Sequence, residues 1–269
     1  MTTTQILALA IFVAVIGVIV SEKLHRAACA LIGAMLLVLV GILEPVEALG
    51  FIDFNTIGVL VGMMMFVAVV KNSGIFEYLA VKAAKLAKGN PWKIMAYFMI
   101  ITAVLSAFLD NVTTVLLIGP MTFSICRTLD LNPIPFLMTQ IVSSNVGGTA
   151  TLIGDPPNIM LGSAADIPFI QFIIYDGPIV VIVMVATILG FKLLYRKGLS
   201  VMPEKMALIM QMDENAEIRD KVLFYKSIVM ICLVAVAFIL HDTLELKTSI
   251  IALSCAALMI LIGRQDVEE

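Results

Sequence analysis

Residues 106–120 read SAFLDNVTTVLLIGP, and residues 143–158 read SSNVGGTATLIGDPPN. In the first, the acid Asp110 and its polar neighbours interrupt an otherwise apolar segment. In the second, Gly, Thr and Pro break another apolar segment. Charged groups and irregular backbone are costly at membrane depth, so they persist where they are enclosed by protein or line a cavity. Together the two stretches read as half of a transport site in a membrane-embedded chain.

The rest of the sequence agrees with a membrane setting. Of 269 residues, 61% are hydrophobic and 14% charged, with mean hydropathy +1.08, whereas a soluble domain carries about 25% charged residues. Apolar runs of roughly 15 to 22 residues recur from end to end, the mark of an all-α polytopic membrane protein. One large buried core is excluded, because too few polar residues remain to cover it. Cys29, Cys126, Cys232 and Cys255 lie singly inside apolar runs and read as small packing residues. His25 and His241 sit singly in short loops, which argues against a histidine-built metal site. No nucleotide loop, catalytic triad or basic nucleic-acid face is present, so neither an enzyme, nor a cofactor, nor a nucleic-acid partner is expected.

In chain order, Ile6–Val20 is the first span, preceded by the neutral head MTTTQ, which lacks the basic region of a signal peptide. Ala27–Leu43 is the second, followed by an acidic loop with Glu44, Glu47 and Asp53, and Thr56–Val70 is the third. Residues 75–88 form an amphipathic interfacial helix, with Lys82, Lys85 and Lys88 expected to face anionic headgroups. Residues 94–126 are two apolar arms meeting at Asp110-Asn111, and 135–162 are a broken helix. Phe169–Phe191 is a full span, 198–226 a mixed-charge cytoplasmic linker, and Ser227–Leu240 and Thr248–Gly263 the last two spans. The seventeen methionines are scattered through the spans and read as packing.

Lys23, Arg26, the 71–93 lysines and the cations from Arg196 to Lys226 belong in the cytoplasm, which places the N-terminus outside. Each arm of 94–126 is about 15 residues, or roughly 22 Å as helix, against a hydrocarbon core of about 30 Å. A re-entrant hairpin fits that length; two tilted full spans with Asp110 outside also satisfy the charge pattern.

An offset of 222 residues aligns Ala30-Leu31 with Ala252-Leu253, Ala34 with Ala256, Gly41 with Gly263, and Glu44 and Glu47 with Asp266 and Glu269. The matched spans run in opposite directions, so the repeat has the inverted topology that places transporter sites near the midplane. On this reading 1–197 is one complete repeat, 227–269 holds only the first two spans of the second, and the chain carries half a site. Chance similarity between apolar segments is the other reading.

At the hairpin tip, the carbonyl end of one arm and the amide end of the other are exposed. Asp110 and Asn111 supply carboxylate and amide oxygens, Thr113 and Thr114 hydroxyls, and Ser106 lies one turn earlier on the same face. These hard oxygens suit a small dehydrated cation, with Ser106, Asp110, Asn111 and Gly148 as the candidate sodium set. Alternatively Asn111 and the threonines cap the second arm and Asp110 pairs elsewhere. In the break, Gly147, Gly148 and Gly154 allow close backbone approach, while Ser144, Asn145, Thr149 and Thr151 can satisfy freed backbone groups. Asp155 before Pro156 reads equally as an N-cap or an ion ligand, and Asn158 completes the candidate set. Asp166 and Asp176 are expected simply to face water.

FLDNVTTVLLIGP and SNVGGTATLIGDPPNIML, at this spacing, resemble the ion transporter superfamily, specifically the ArsB/NhaD permease branch that includes the pink-eyed-dilution P protein. The resemblance covers essentially the whole chain, as the N-terminal half and more of a citrate-transporter-like domain. It implies inverted repeats, re-entrant hairpins each followed by a broken helix, ion-coupled secondary transport, and a homodimer moving by an elevator motion in the plasma membrane. Carboxylate-transporting relatives carry a Ser-Asn-Thr motif at the tip; here Asp110, Asn111 and Val112 stand in those positions. The added charge and the lost hydroxyl argue against dicarboxylate as the default substrate. What is implied is a small inorganic or organic ion, such as an inorganic anion or an arsenite-like hydroxide, coupled to sodium or protons; a sodium/proton antiporter, a channel, and a non-transporting or split-subunit fragment are the other readings.

Overall fold

A computed structural model describes residues 2–165, 167–195, 199, 201–241 and 243–263. The chain divides into two compact units, residues 1–54 and 55–269. The first contains α1 (Thr3–Val20), α2 (Arg26–Leu39) and α3 (Pro45–Gly50). Thr2 and Gln5 form a reciprocal capping box that starts α1. None of the residues of α1 is buried, as expected of an apolar helix whose solvent is lipid. A Cβ at Gly33 of α2 would lie 2.5 Å from Val15 Cγ2 of α1, so the missing side chain lets these two helices approach. The acidic loop expected from the sequence contains α3, whose six residues are too few to show a helical period.

The second unit contains α4 (Phe54–Lys71), α5 (Ile75–Leu86), α6 (Pro91–Ser106), α7 (Asn111–Leu129), α8 (Ile134–Gly148), α9 (Pro156–Ala165), α10 (Phe169–Tyr195), α11 (Pro203–Gln211), α12 (Lys221–Leu240) and α13 (Thr248–Gly263). No strand occurs among the described residues. By length and composition α1, α4, α7, α10 and α12 can each cross a bilayer, and α2, α6 and α13 are shorter apolar helices. The protein is therefore an all-α, multi-pass membrane protein. Asp166, Arg196, Lys197 and the repeat-matched Asp266 and Glu269 lie outside the described residues. Asp176, expected to face water, lies within α10 and is half-buried. At the 222-residue offset, the start of α2 at Arg26 falls on the start of α13 at Thr248.

The two arms around the tip are longer at their outer ends than the sequence pattern places them. Asn90 Oδ1 accepts from Lys93 N at 3.1 Å and Pro91 opens α6. At the far end of α7, Asp130 takes a left-handed conformation (φ 56°) and Leu131 N donates to Cys126 O at 2.8 Å. Helix α8 packs most extensively on α6 and next on α7, so hairpin and broken helix form one block. On another side of the unit, Gly58 and Gly62 of α4 meet α13 almost backbone to backbone: a Cβ at Gly62 would lie 2.6 Å from Ala252 C. Asn55 fixes that crossing, donating to Thr248 Oγ1 at 3.0 Å and accepting from Ser249 N at 3.1 Å.

Two expectations about the polar segments change. Helix α5 packs much of its apolar side on the protein: Ile75, Phe76, Ala80, Val81, Ala83 and Ala84 are buried, while Leu86 stays exposed. Its Lys85 pairs with Glu214 and its Lys82 donates to Tyr78 Oη at 2.9 Å, so these two cations bind protein groups. The segment read as a linker is folded: α11 and a 3-10 turn at Glu214–Glu217 dock on α5 and α7. Arg219 pairs with Glu77 at 2.9 Å and Lys205 with Asp130 at 2.7 Å, while Ile209 is fully buried. A mixed-charge composition hid the complementarity, because each partner lies about 75 to 140 residues away in sequence.

Candidate functional site

Residues 107–110 turn the chain between α6 and α7. Asp110 sits at the N-cap of α7, where its Oδ1 accepts from Val112 N at 3.0 Å and Thr113 N at 2.9 Å. Thr114 Oγ1 donates back to Asp110 O at 2.9 Å. The acid thus satisfies orphan amides and places negative charge at the positive end of the helix dipole. The cap is thus Asp110, not Asn111 and the threonines as in the alternative drawn from the sequence. Asn111 is already the first helical residue, so its side chain is free to reach across. Its Nδ2 donates to Asn145 Oδ1 of α8 at 3.0 Å. The other oxygen of Asp110, Oδ2, takes no part in the cap.

The break between α8 and α9 is held by side chains that replace the lost helical bonds. Asn158 Nδ2 donates to Gly148 O at 3.2 Å and to Thr151 O at 3.1 Å, bridging carbonyls freed where α8 ends. The Thr151 hydroxyl donates to Ala107 O of the tip and accepts from Gly154 N at 3.2 Å. Ser106 Oγ donates to Ser144 O at 2.7 Å. Three points of contact therefore join tip to break. Close approach accounts for the glycines: a Cβ at Gly147 would lie 2.1 Å from Ala103 O, and one at Gly154 would lie 2.5 Å from Gly148 O and 2.6 Å from Ser106 O. The Ser106 and Gly148 carbonyls therefore converge on Gly154.

Of the residues selected from sequence, Ser106, Asp110, Asn111, Thr114, Ser144, Asn145, Gly147, Gly148, Thr151, Gly154 and Asn158 meet in this block. Thr113 is beside them, lining a narrow crevice with Asp110, Leu109 and Ile153. Asp155 immediately precedes α9 and is half-buried, within electrostatic reach of Asp110; its backbone carbonyl accepts from Asn158 N at 3.0 Å. Thr149 stands apart, exposed, with its hydroxyl on Val146 O at 2.8 Å. The opposite wall of the crevice is α4, through Val59, Leu60, Met63, Met64 and Val67. Sequence reasoning took those methionines as packing; the run GMMM at 62–65 was the available signal.

Chemically, the block offers oxygens of the hard type: Asp110 Oδ2 and the Ser106 and Gly148 carbonyls, with Asn111 Oδ1 at the same tip. Such donors suit sodium or a proton better than a soft metal. Asp110 already engages the amides of Val112 and Thr113, which disfavours an anion at this end of α7.

A family model described as "Citrate transporter" matches residues 16–269. A "46 kDa membrane protein" of Mycobacterium leprae (strain TN) is 38% identical over 266 residues, covering 97% of this chain and 62% of that protein. An "uncharacterized transporter" of Mycobacterium tuberculosis (strain ATCC 25618 / H37Rv) is 39% identical over 263 residues, 96% of this chain and 61% of the relative. The P protein of Homo sapiens is 41% identical over 166 residues, 60% of this chain and 20% of that protein. The chain thus spans about three-fifths of the length of the mycobacterial relatives it matches. With the family match running across the hairpin, the break and the spans on either side, the chain belongs to the citrate transporter family.

Proposed function

We propose that this chain carries the first half of the ion site of a secondary active transporter, and that a sodium ion or a proton is coupled at Asp110. The observation that carries the reading is the tip itself. A carboxylate there keeps one oxygen in the helix cap and leaves the other unengaged, within electrostatic reach of Asp155. Two acids so placed favour a cation or a proton over an anion. A single carboxylate that can take either Na⁺ or H⁺ suits sodium/proton antiport. A small anion or a neutral hydroxide would bind with the coupling ion and with groups outside this half.

The tip is proposed to be re-entrant. It packs on the break, and the break follows 15 residues of α8, about 22 Å of helix. If α8 and α9 together cross the bilayer, the tip lies inside it. The family resemblance and the charge pattern further support a homodimer in the plasma membrane with the N-terminus outside.

The test is flux in proteoliposomes holding the full-length protein, with sodium, proton and anion gradients imposed separately. Asp110→Asn keeps an oxygen for the cap and removes the charge, so the protein should fold while coupled flux is abolished. Unchanged coupling in that variant would sink the assignment.

A further inference from the structure

Below the tip, three fully buried side-chain atoms have no hydrogen-bond partner: Thr102 Oγ1 on α6, and Gln140 Oε1 and Ser143 Oγ on α8. The register brings these two helix segments together. Ala103 touches Gly147, and Ser106 bonds to Ser144; Thr102 and Ser143 are chain neighbours of Ala103 and Ser144. Gln140 and Ser143 are three apart on α8 and so share a face. The amide orientation of Gln140 is fixed by its surroundings. Thr122 Oγ1 donates to Ile118 O at 3.1 Å and can only accept from the side chain, which gives it Nε2 at 2.7 Å. Oε1 is therefore an open acceptor.

A buried polar atom without a partner costs about 1–3 kcal/mol, and three within adjacent turns point to a shared one. That partner must donate to Oε1 and both donate to and accept from hydroxyls. A cation would leave the hydroxyl protons unpaired and would have only neutral ligands to offset its desolvation. Water meets every requirement.

We propose that Thr102, Gln140 and Ser143 enclose a buried water site in the α6–α7–α8 interface, in line with the polar groups that lead to the tip. Gln140 lies six residues into α8, about 9 Å, and Ser144 another turn on, about 6 Å further; Thr102 and Ser106 mark the same turn on α6. Polar groups thus run from mid-bundle to the Asp110 tip. The water site stands independently of the proton-coupled reading above.

X-ray radiolytic hydroxyl labelling of the purified full-length protein tests the site directly. Met99 is fully buried one turn from Thr102, so only an internal water can label it. Met99 should be labelled in wild type and several-fold less in the Thr102→Val, Ser143→Ala double variant. An unlabelled Met99 in wild type overturns the water site. Thr102→Val alone supplies an independent measurement: it lowers the unfolding temperature if it expels a bound water, and a rise means a dry interface and refutes the proposal.

Discussion

One hydroxyl, that of Thr151, does two jobs at once: it donates to Ala107 O in the tip and accepts from Gly154 N in the break. Its side chain is buried, so Thr151→Val would leave a carbonyl and an amide without partners at nearly constant volume. The expected cost is about 1–3 kcal/mol, read as a lower unfolding midpoint in detergent. A midpoint equal to wild type would show that water replaces the hydroxyl. At this scale the sequence was informative about identity and less so about role. An acid in an apolar run is conspicuous, because nothing else explains its desolvation. Which residue caps α7 was not legible: Asp110 and Asn111 are both good caps by type, and the register of the helix start decides between them. Thr102, Gln140 and Ser143 escaped notice for another reason. Single neutral polar residues in an apolar helix are common, and only packing shows which face they share.

Among the elements, α5 and the segment after α10 best show how tertiary structure redirects a sequence pattern. Lysines on one side and apolar residues on the other suit a membrane surface and a protein surface equally. The choice was made by Glu214, Glu77 and Ile209, which come from distant sequence or from the unsuspected side of the helix. The hydrogen bond from Lys85 holds the Glu214 carboxyl below its ordinary range. A carboxyl depressed in the folded state stabilises docking at pH values above the ordinary range, and that contribution is lost as the pH falls through the depressed value. Docking of residues 203–217 should therefore be the same at pH 7 and pH 5. Glu214→Gln should raise amide exchange across that segment at neutral pH while leaving α6 and α8 protected. Equal exchange in both proteins would mean that the apolar contacts of α11 suffice.

For the molecule as a whole, the long apolar helices and their order were legible because lipid enforces both length and composition. Helix ends moved by a few residues, as at Lys221 in place of Ser227 for α12, since polar residues continue a helix past the hydrocarbon boundary. Orientation is checked by one exposed residue. Lys93 lies at the start of α6, facing outward. A cysteine replacing Lys93 should react with an impermeant maleimide from the cytoplasmic side alone, and labelling from outside would invert the topology.

The three bonds between tip and break have a mechanical consequence. Ser106, Asn111 and Thr151 anchor the turn of the hairpin to the discontinuity of the neighbouring helix at separate points. Together they restrain sliding and pivoting. While they hold, tip and break shift as one body, like cargo in a closed hand.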